Sequence, residues 1–238
     1  MFISRAYQSL DNYLKPNKSL IIYGARQVGK TTLIKQYLSN TRYKFKLESG
    51  DNIQTQELLS YPDLNKLQEY IAGYQLLVID EAQKIKNIGQ VIKLLIDNTP
   101  ELIVIMTGSS SFELIGQVGE PLTGRKTTLT LFPIAQLELA NLYNKYELKS
   151  QLENIMIYSS YPEIITAQSL NEKRLLITEI MQSYLLKDIL ALERVKSPKI
   201  LLDLLRLLAF QVGSQVSLSE LAKNLAVDYK TIARYLDL

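Results

Sequence analysis

The sequence contains no cysteine and no histidine, and those two absences remove whole classes of chemistry. Disulfide frameworks, zinc fingers, His-ligated metals and Ser-His or Cys-His nucleophilic pairs are excluded. Any chemistry must run on carboxylates, Lys, Arg, hydroxyls and backbone groups, a donor set that suits hard cations such as magnesium. Long apolar runs are also missing: nothing approaches the roughly 18 residues of a membrane span. The start, Met1-Phe2-Ile3-Ser4-Arg5, lacks the layout of a signal peptide. The expectation is a cytoplasmic protein with no membrane partner. An excess of one charge is missing as well. Lys and Arg number 27 against 24 Asp and Glu, a net +3, too near neutral to predict a nucleic-acid partner. With 47% hydrophobic and 21% charged residues over 238 positions, the chain suits one large domain with a smaller one or with appendages.

Hydrophobic periodicity supplies the architecture. Residues 4–14 read as a short helix closed by Pro16. Ser19–Tyr23 is a compact apolar run ending at Gly24, the pattern of a buried strand. Residues 30–39 follow as a helix with Leu33, Ile34, Tyr37 and Leu38 on one face. Further strands read at 43–47, 76–79, 102–106 and 128–132, with a helix at 85–96. Strands separated by helices predict an α/β fold, a parallel sheet with helices on both faces. After Pro133 only helices read, with long stretches at 172–192 and 198–211. The expected division is an α/β core at 1–135, a helical lid or linker at 136–196 and a partial winged-helix segment at 197–238.

Gly24-Ala25-Arg26-Gln27-Val28-Gly29-Lys30-Thr31 matches G-x-x-x-x-G-K-[ST] at every fixed position. The glycines let the backbone turn sharply and bring its N–H groups up to phosphate oxygens. The helix that begins there aims its positive end at the same anion. Lys30 reaches the β- and γ-phosphates of ATP, and the Thr31 hydroxyl can ligate magnesium. Farther on, Leu76–Ile79 runs into Asp80 and Glu81, two carboxylates at a strand end. Asp80 would hold magnesium, and Glu81 would act as general base on the attacking water. A metabolite kinase uses its acceptor's own hydroxyl, so the acidic pair favours hydrolysis. The extra strand at 43–47, between the P-loop and the acidic strand, agrees with that class.

Thr107-Gly108-Ser109-Ser110 follows the fourth strand. Its hydroxyls fit γ-phosphate sensing, positioning of the attacking water, or ordinary turn chemistry. Arg125, after Gly124, fits either a plain surface residue or a group that neutralises transition-state charge, in cis or from a neighbouring subunit.

These motifs together, Gly24–Thr31, Val78–Gln83, Thr107–Ser110 and Leu122-Thr-Gly-Arg125, resemble a prokaryotic family of AAA+-type P-loop ATPases. In that family a DUF4143-type region of unknown function follows the ATPase core. The resemblance covers residues 20–134. Tyr161-Pro-Glu163 and Tyr184–Asp188 resemble weaker family markers, with Ser159-Ser160 standing where glycines belong. It implies ATP bound by Gly24–Thr32, magnesium at Thr31 and Asp80, a catalytic Glu81, a sensor role for Ser109 and an arginine-finger role for Arg125 in a homo-oligomer. It also implies a nuclease-like domain beyond the winged helix, of which residues up to Leu238 contain none.

Toward the C-terminus, Ser217-Leu-Ser-Glu220 is a capping box, opening a helix with Leu218, Leu221, Ala222 and Leu225 on one face. Asp228 can cap a second helix, with Ile232 and Leu236 inward and Tyr229, Lys230, Thr231 and Arg234 outward. The outline is helix-turn-helix. Residues 187–238 carry 8 Lys/Arg against 6 Asp/Glu, a balance of +2, weak for a DNA grip. A DNA partner and a protein partner both remain open for 217–236.

Overall fold

The computed structural model describes residues 3–7, 9–108, 121–182 and 197–237. The chain forms two compact units, Met1–Lys173 and Arg174–Leu238. In the first, five parallel strands run in the order β2-β3-β4-β1-β5: β1 Ser19–Tyr23, β2 Phe45–Ser49, β3 Leu76–Asp80, β4 Ile103–Gly108 and β5 Lys126–Thr130. The strand beyond the P-loop reading, at 43–47, therefore sits at the sheet edge. It is β4 that lies between β1 and β3, because β1 pairs with β4 and β4 pairs with β3.

Helices cover both faces, as right-handed crossovers between parallel strands require. On one side α1 (Lys30–Asn40) buries Leu33, Ile34, Tyr37 and Leu38 against Leu20 and Ile22 of β1 and Val78 of β3. On the other, α2 (Ile53–Leu59), α3 (Leu64–Ile71) and α4 (Ile88–Asn98) pack on Ile21, Leu77, Ile79, Val104 and Met106. The central strands β1 and β4 are buried at every position. Their near-continuous apolar runs follow from that two-sided burial. The edge strand β2 is only partly covered and alternates.

The expected helix at 4–14 is, within the described residues, one 3-10 turn at Leu10–Tyr13. After β5 the chain adds α5 (Gln136–Leu139), α6 (Lys145–Tyr158) and α7 (Pro162–Thr166). These are not a detached appendage: Ile3, Ile134 and Leu139 share a small core with Tyr143, Leu148, Ile155 and Ile165. Asn144 caps α6, its side chain accepting from the Tyr146 and Glu147 N–H groups while Glu147 reaches back to the Asn144 N–H. Ser159, where glycine was expected, adopts φ 76° and ψ 174°. That is a backbone region almost confined to glycine, so serine there keeps the turn at a local cost of about 1–3 kcal/mol.

Beyond α8 (Leu170–Ile180) the second unit contains α9 (Pro198–Phe210), α10 (Leu218–Asn224) and α11 (Tyr229–Leu236). They close around Leu201, Leu204, Leu221, Ala222, Ile232 and Tyr235. Ser217 and Asp228 cap α10 and α11 as their spacing predicts, accepting from the Glu220 and Lys230 N–H groups. One inward assignment is corrected. Tyr235 rather than Leu236 faces the core, and Leu236 is exposed. The Tyr235 ring fills the space between the helices and its hydroxyl accepts from the Ser197 N–H at 3.3 Å, an anchor that leucine could not provide.

Candidate functional site

The carboxyl ends of β1, β3 and β4 converge, and the loops leaving them carry the P-loop, the acidic pair and Thr107. This is the edge at which open parallel sheets gather ligands.

The P-loop turns from β1 into α1. Gln27 and Gly29 both adopt left-handed backbone, with φ of 61° and 96°. Alternation of this kind curls successive N–H groups into a concave anion-binding nest. Glycine is required at 24 for a different reason. A Cβ there would lie 2.3 Å from the Leu131 carbonyl oxygen, because the start of the loop runs tight against the chain leaving β5. Gly29 is the N-cap of α1 and supplies no capping side chain, so the helix end turns backbone groups toward an anion. Lys30 is buried, and its ammonium donates to the Gly24 and Ala25 carbonyls at 2.8 and 2.9 Å. The cation is thus held within the loop itself.

Thr31, at the first turn of α1, donates to Asp80 Oδ2 at 2.7 Å. The two side chains read as magnesium ligands therefore meet across 49 residues of sequence, and both offer hard oxygen donors. Asp80 receives a second hydrogen bond from the Thr107 hydroxyl. That hydroxyl also accepts from the Glu81 N–H at 3.0 Å. Thr107 is fully buried at the end of β4, and one oxygen thereby fixes both members of the acidic pair. Sequence reading offered the Thr107 hydroxyl for γ-phosphate sensing, water positioning or turn chemistry; the buried bridging role needs the β3–β4 pairing to be seen. A Thr107→Val variant keeps the shape and leaves the Glu81 N–H without that acceptor. We expect a stability loss of about 1–3 kcal/mol by denaturant titration. A loss of about 10- to 100-fold in nucleotide turnover should accompany it.

Glu81 stands in left-handed backbone, φ 53° and ψ 43°. Its turn is pressed against β2: the Gly50 N–H donates to the Asp80 carbonyl at 2.7 Å. A Cβ on Gly50 would come within 2.2 Å of the Glu81 carbonyl oxygen. The Glu81 carboxylate accepts from Gln83 Nε2 at 2.6 Å.

Arg5 was invisible to motif reading, yet it ties the loop down. Its guanidinium donates to the Val28 carbonyl at 2.7 Å, the Phe132 carbonyl at 2.5 Å and Glu138 Oε1 at 3.0 Å. Burial disfavours the Glu138 carboxylate, but the Ala135 and Ala6 N–H groups and the Arg5 guanidinium hold its carboxyl below the usual carboxylate range. Beside Arg5 a cavity of about 320 Å³ opens against Gly29, Thr32 and Leu33, with Pro162 and Glu163 on its far wall. The Tyr161-Pro-Glu marker thus folds back onto the P-loop. A second cavity, about 380 Å³, is lined by Thr31 and Asp80 themselves together with Leu47, Glu48, Ser49 and Asn52.

Arg125 is not brought to this site. Its carbonyl accepts from the Ser19 N–H, at the opposite end of β1. Five residues at about 3.3 Å each put it about 16 Å from the P-loop. Its side chain pairs with Asp97 at 2.5 Å, both groups more than a third exposed, an arrangement worth little to stability. The in-cis alternative for Arg125 is therefore corrected by the strand direction. Ser109, the expected sensor, and Tyr184–Asp188 lie outside the described residues.

Fold and site together define a P-loop NTPase of the α/β class. A family model described as AAA domain (AAA_14) matches residues 16–140, more than half of the chain, and the chain belongs to that family, an ATPase-type nucleotide-binding class. Residues 149–238 match a domain of unknown function, DUF8612, which replaces the DUF4143-type region expected from the resemblance. The uncharacterized protein MJ1544 of Methanocaldococcus jannaschii is 26% identical over 236 residues, covering 92% of this chain and 52% of its own length. An uncharacterized protein of Haemophilus influenzae is 26% identical over 265 residues, covering 99% of this chain and 65% of its own. The chain thus spans about half to two thirds of these relatives. The Walker-type ATPase PABY2304 of Pyrococcus abyssi has the same fold, with a TM-score of 0.53 at 17% identity over 100% of this chain and 96% of that one. Among the described residues no helix is long and apolar enough to cross a membrane.

Proposed function

We propose that the chain binds ATP with magnesium at the P-loop and hydrolyses the β–γ phosphoanhydride. The observation that carries this reading is the direct Thr31–Asp80 contact beside Lys30 and Glu81, which joins a phosphate cradle, a pair of hard oxygen ligands and a general base in one cleft. Thr31 and Asp80 would hold magnesium, which when bound neutralises charge on the β- and γ-phosphate oxygens. Lys30 exchanges its loop carbonyls for phosphate oxygens. The nest at Gln27–Gly29 donates N–H groups to the same anion. Glu81 accepts a proton from a water whose oxygen bonds to the γ-phosphorus as the bridging oxygen departs. The cavity beside Arg5, Thr32 and Pro162 is of a size to take the nucleoside end. Arg125, at the far edge of its own sheet, serves the γ-phosphate of a neighbouring copy in a homo-oligomer. Turnover moves the helical and winged-helix part against the core, with 1–135, 136–196 and 197–238 as the working parts.

Phosphate release by the wild-type chain with Mg-ATP tests the proposal. Steady release, raised by protein concentration if Arg125 acts between copies, is expected. Tight ATP binding with no release would contradict hydrolysis and leave a nucleotide switch.

A second reading is a nucleotide-gated DNA-binding module. It rests on α11, where Tyr229 and Lys230 are exposed beside the three-helix core. Here duplex DNA binding should fall with salt, change with ATP and weaken in Lys230→Ala/Arg234→Ala; indifference to that double change removes it.

A further inference from the structure

The turn that carries Glu81 is fixed from three directions, yet its side chain is not fixed by any of them. Gly50 abuts the Glu81 carbonyl, the Gly50 N–H holds the Asp80 carbonyl, and Thr107 holds the Glu81 N–H. These contacts set the backbone. A glutamate side chain still has three rotatable bonds and loses conformational freedom when it is held in one geometry. The group that touches the carboxylate is Gln83, two residues on. Gln83 sits in the 3-10 turn Ala82–Lys84, where Ala82 and Ile85 enter the main core. It is itself buried, and its Nε2 lies 2.6 Å from Glu81 Oε2.

The chemistry of that pair is one-sided. An ionised carboxylate only accepts hydrogen bonds, so the amide must present its nitrogen. Filling the same volume with an apolar side chain would avoid burying an amide in a turn of Ala and Ile. The neighbouring Lys84 is directed elsewhere, to Asp51. We infer that Gln83 is a positioning residue for ATP hydrolysis: it holds one oxygen of Glu81 and so presents the other to the attacking water. This rests on Glu81 being the base. It divides the acidic pair's support between two buried groups, Thr107 for Asp80 and the Glu81 backbone, Gln83 for the Glu81 carboxylate.

The test is a double-mutant cycle with Gln83→Met, which keeps length and removes the donor, and with Glu81→Gln. In the wild-type background Gln83→Met should lower kcat about 10- to 100-fold, with KM and the calorimetric Kd for Mg-ATP unchanged. In the Glu81→Gln background it should change kcat no further, because the group it acts through is gone. Gln83→Glu, isosteric but facing carboxylate with carboxylate, should lose turnover to a similar degree and serves if the Met variant does not fold. Wild-type kcat in Gln83→Met overturns the assignment, as does an equal loss in both backgrounds or a proportional change in Kd. Failure of both variants to fold would make Gln83 structural and overturn it too. If the wild type itself releases no phosphate, the ATPase reading fails first and is recognised as such; a turning-over wild type with an unaffected Gln83→Met removes only the inference.

Discussion

Glu81→Gln should lower phosphate release by about 10²- to 10⁴-fold, the range that a positioned general base supplies, while Mg-ATP binds as tightly as before. Both outcomes follow from geometry. Phosphates would be held by the loop around Gln27–Gly29 and by Lys30, and the metal by Thr31 and Asp80; the Glu81 side chain contributes to neither group. The substitution keeps length and hydrogen-bonding capacity, so the contact with Gln83 persists through the amide oxygen and the turn is undisturbed. Single-turnover measurement with a slow chase would separate binding from chemistry. Equal release by the two proteins would remove Glu81 as base and with it the strongest reason to prefer hydrolysis.

The second large effect falls on stability. Arg5→Met removes the only guanidinium contact to Glu138 among the described residues, and both side chains are at most 6% exposed. Leaving one member of a buried pair alone costs about 3–5 kcal/mol. The Val28 carbonyl, inside the P-loop, loses its 2.7 Å donor at the same time. A fall in the denaturant midpoint and a looser nucleotide site are therefore expected together. The pH dependence has a definite sign. Glu138 has its folded-state carboxyl held below the ordinary value of 4.5, so its contribution is full above that value and is lost as pH falls through the lower folded one. The stability gap between wild type and Arg5→Met should be widest near neutrality and narrow in acid. A gap that stays constant down to acid unfolding would show that Glu138 is not the group being stranded.

How much of this was legible in the sequence depends on the range of each interaction. β1 was readable to the residue, and the neighbouring α1 to within one at its end, because a fully buried strand gives an unbroken apolar run and a glycine-rich loop marks its end. The carboxylates at 80 and 81 were equally plain. β2 and β5 shifted by two residues, since edge strands are half covered and their periodicity is weak. Spatial strand order was not readable. Parallel strands joined by crossovers can be arranged in several ways, and only the pairing shows that β4 separates β1 from β3. Arg5, Thr107 and Gln83 were missed as supporting residues for a common reason. Each acts through one or two specific atoms across a fold contact, a carbonyl of Val28, a carboxylate of Asp80 or Glu81, and no composition or spacing rule encodes those partners. Gln83 lay inside a quoted motif without a role of its own, and Thr107 inside another whose hydroxyls were read for γ-phosphate sensing, water positioning or turn chemistry rather than as a bridge within the acidic pair. The distance of Arg125 from the loop follows from strand direction alone, which the parallel reading already contained.

The central claim is that residues 24–32 with Asp80 form a Mg-ATP site, and isothermal calorimetry on the folded chain tests it most directly. Saturable one-site heat with Mg-ATP, abolished in Lys30→Met and sharply weakened in Asp80→Asn, is the predicted result. No heat and no thermal protection from well-folded wild type, or binding indifferent to Lys30, would contradict it.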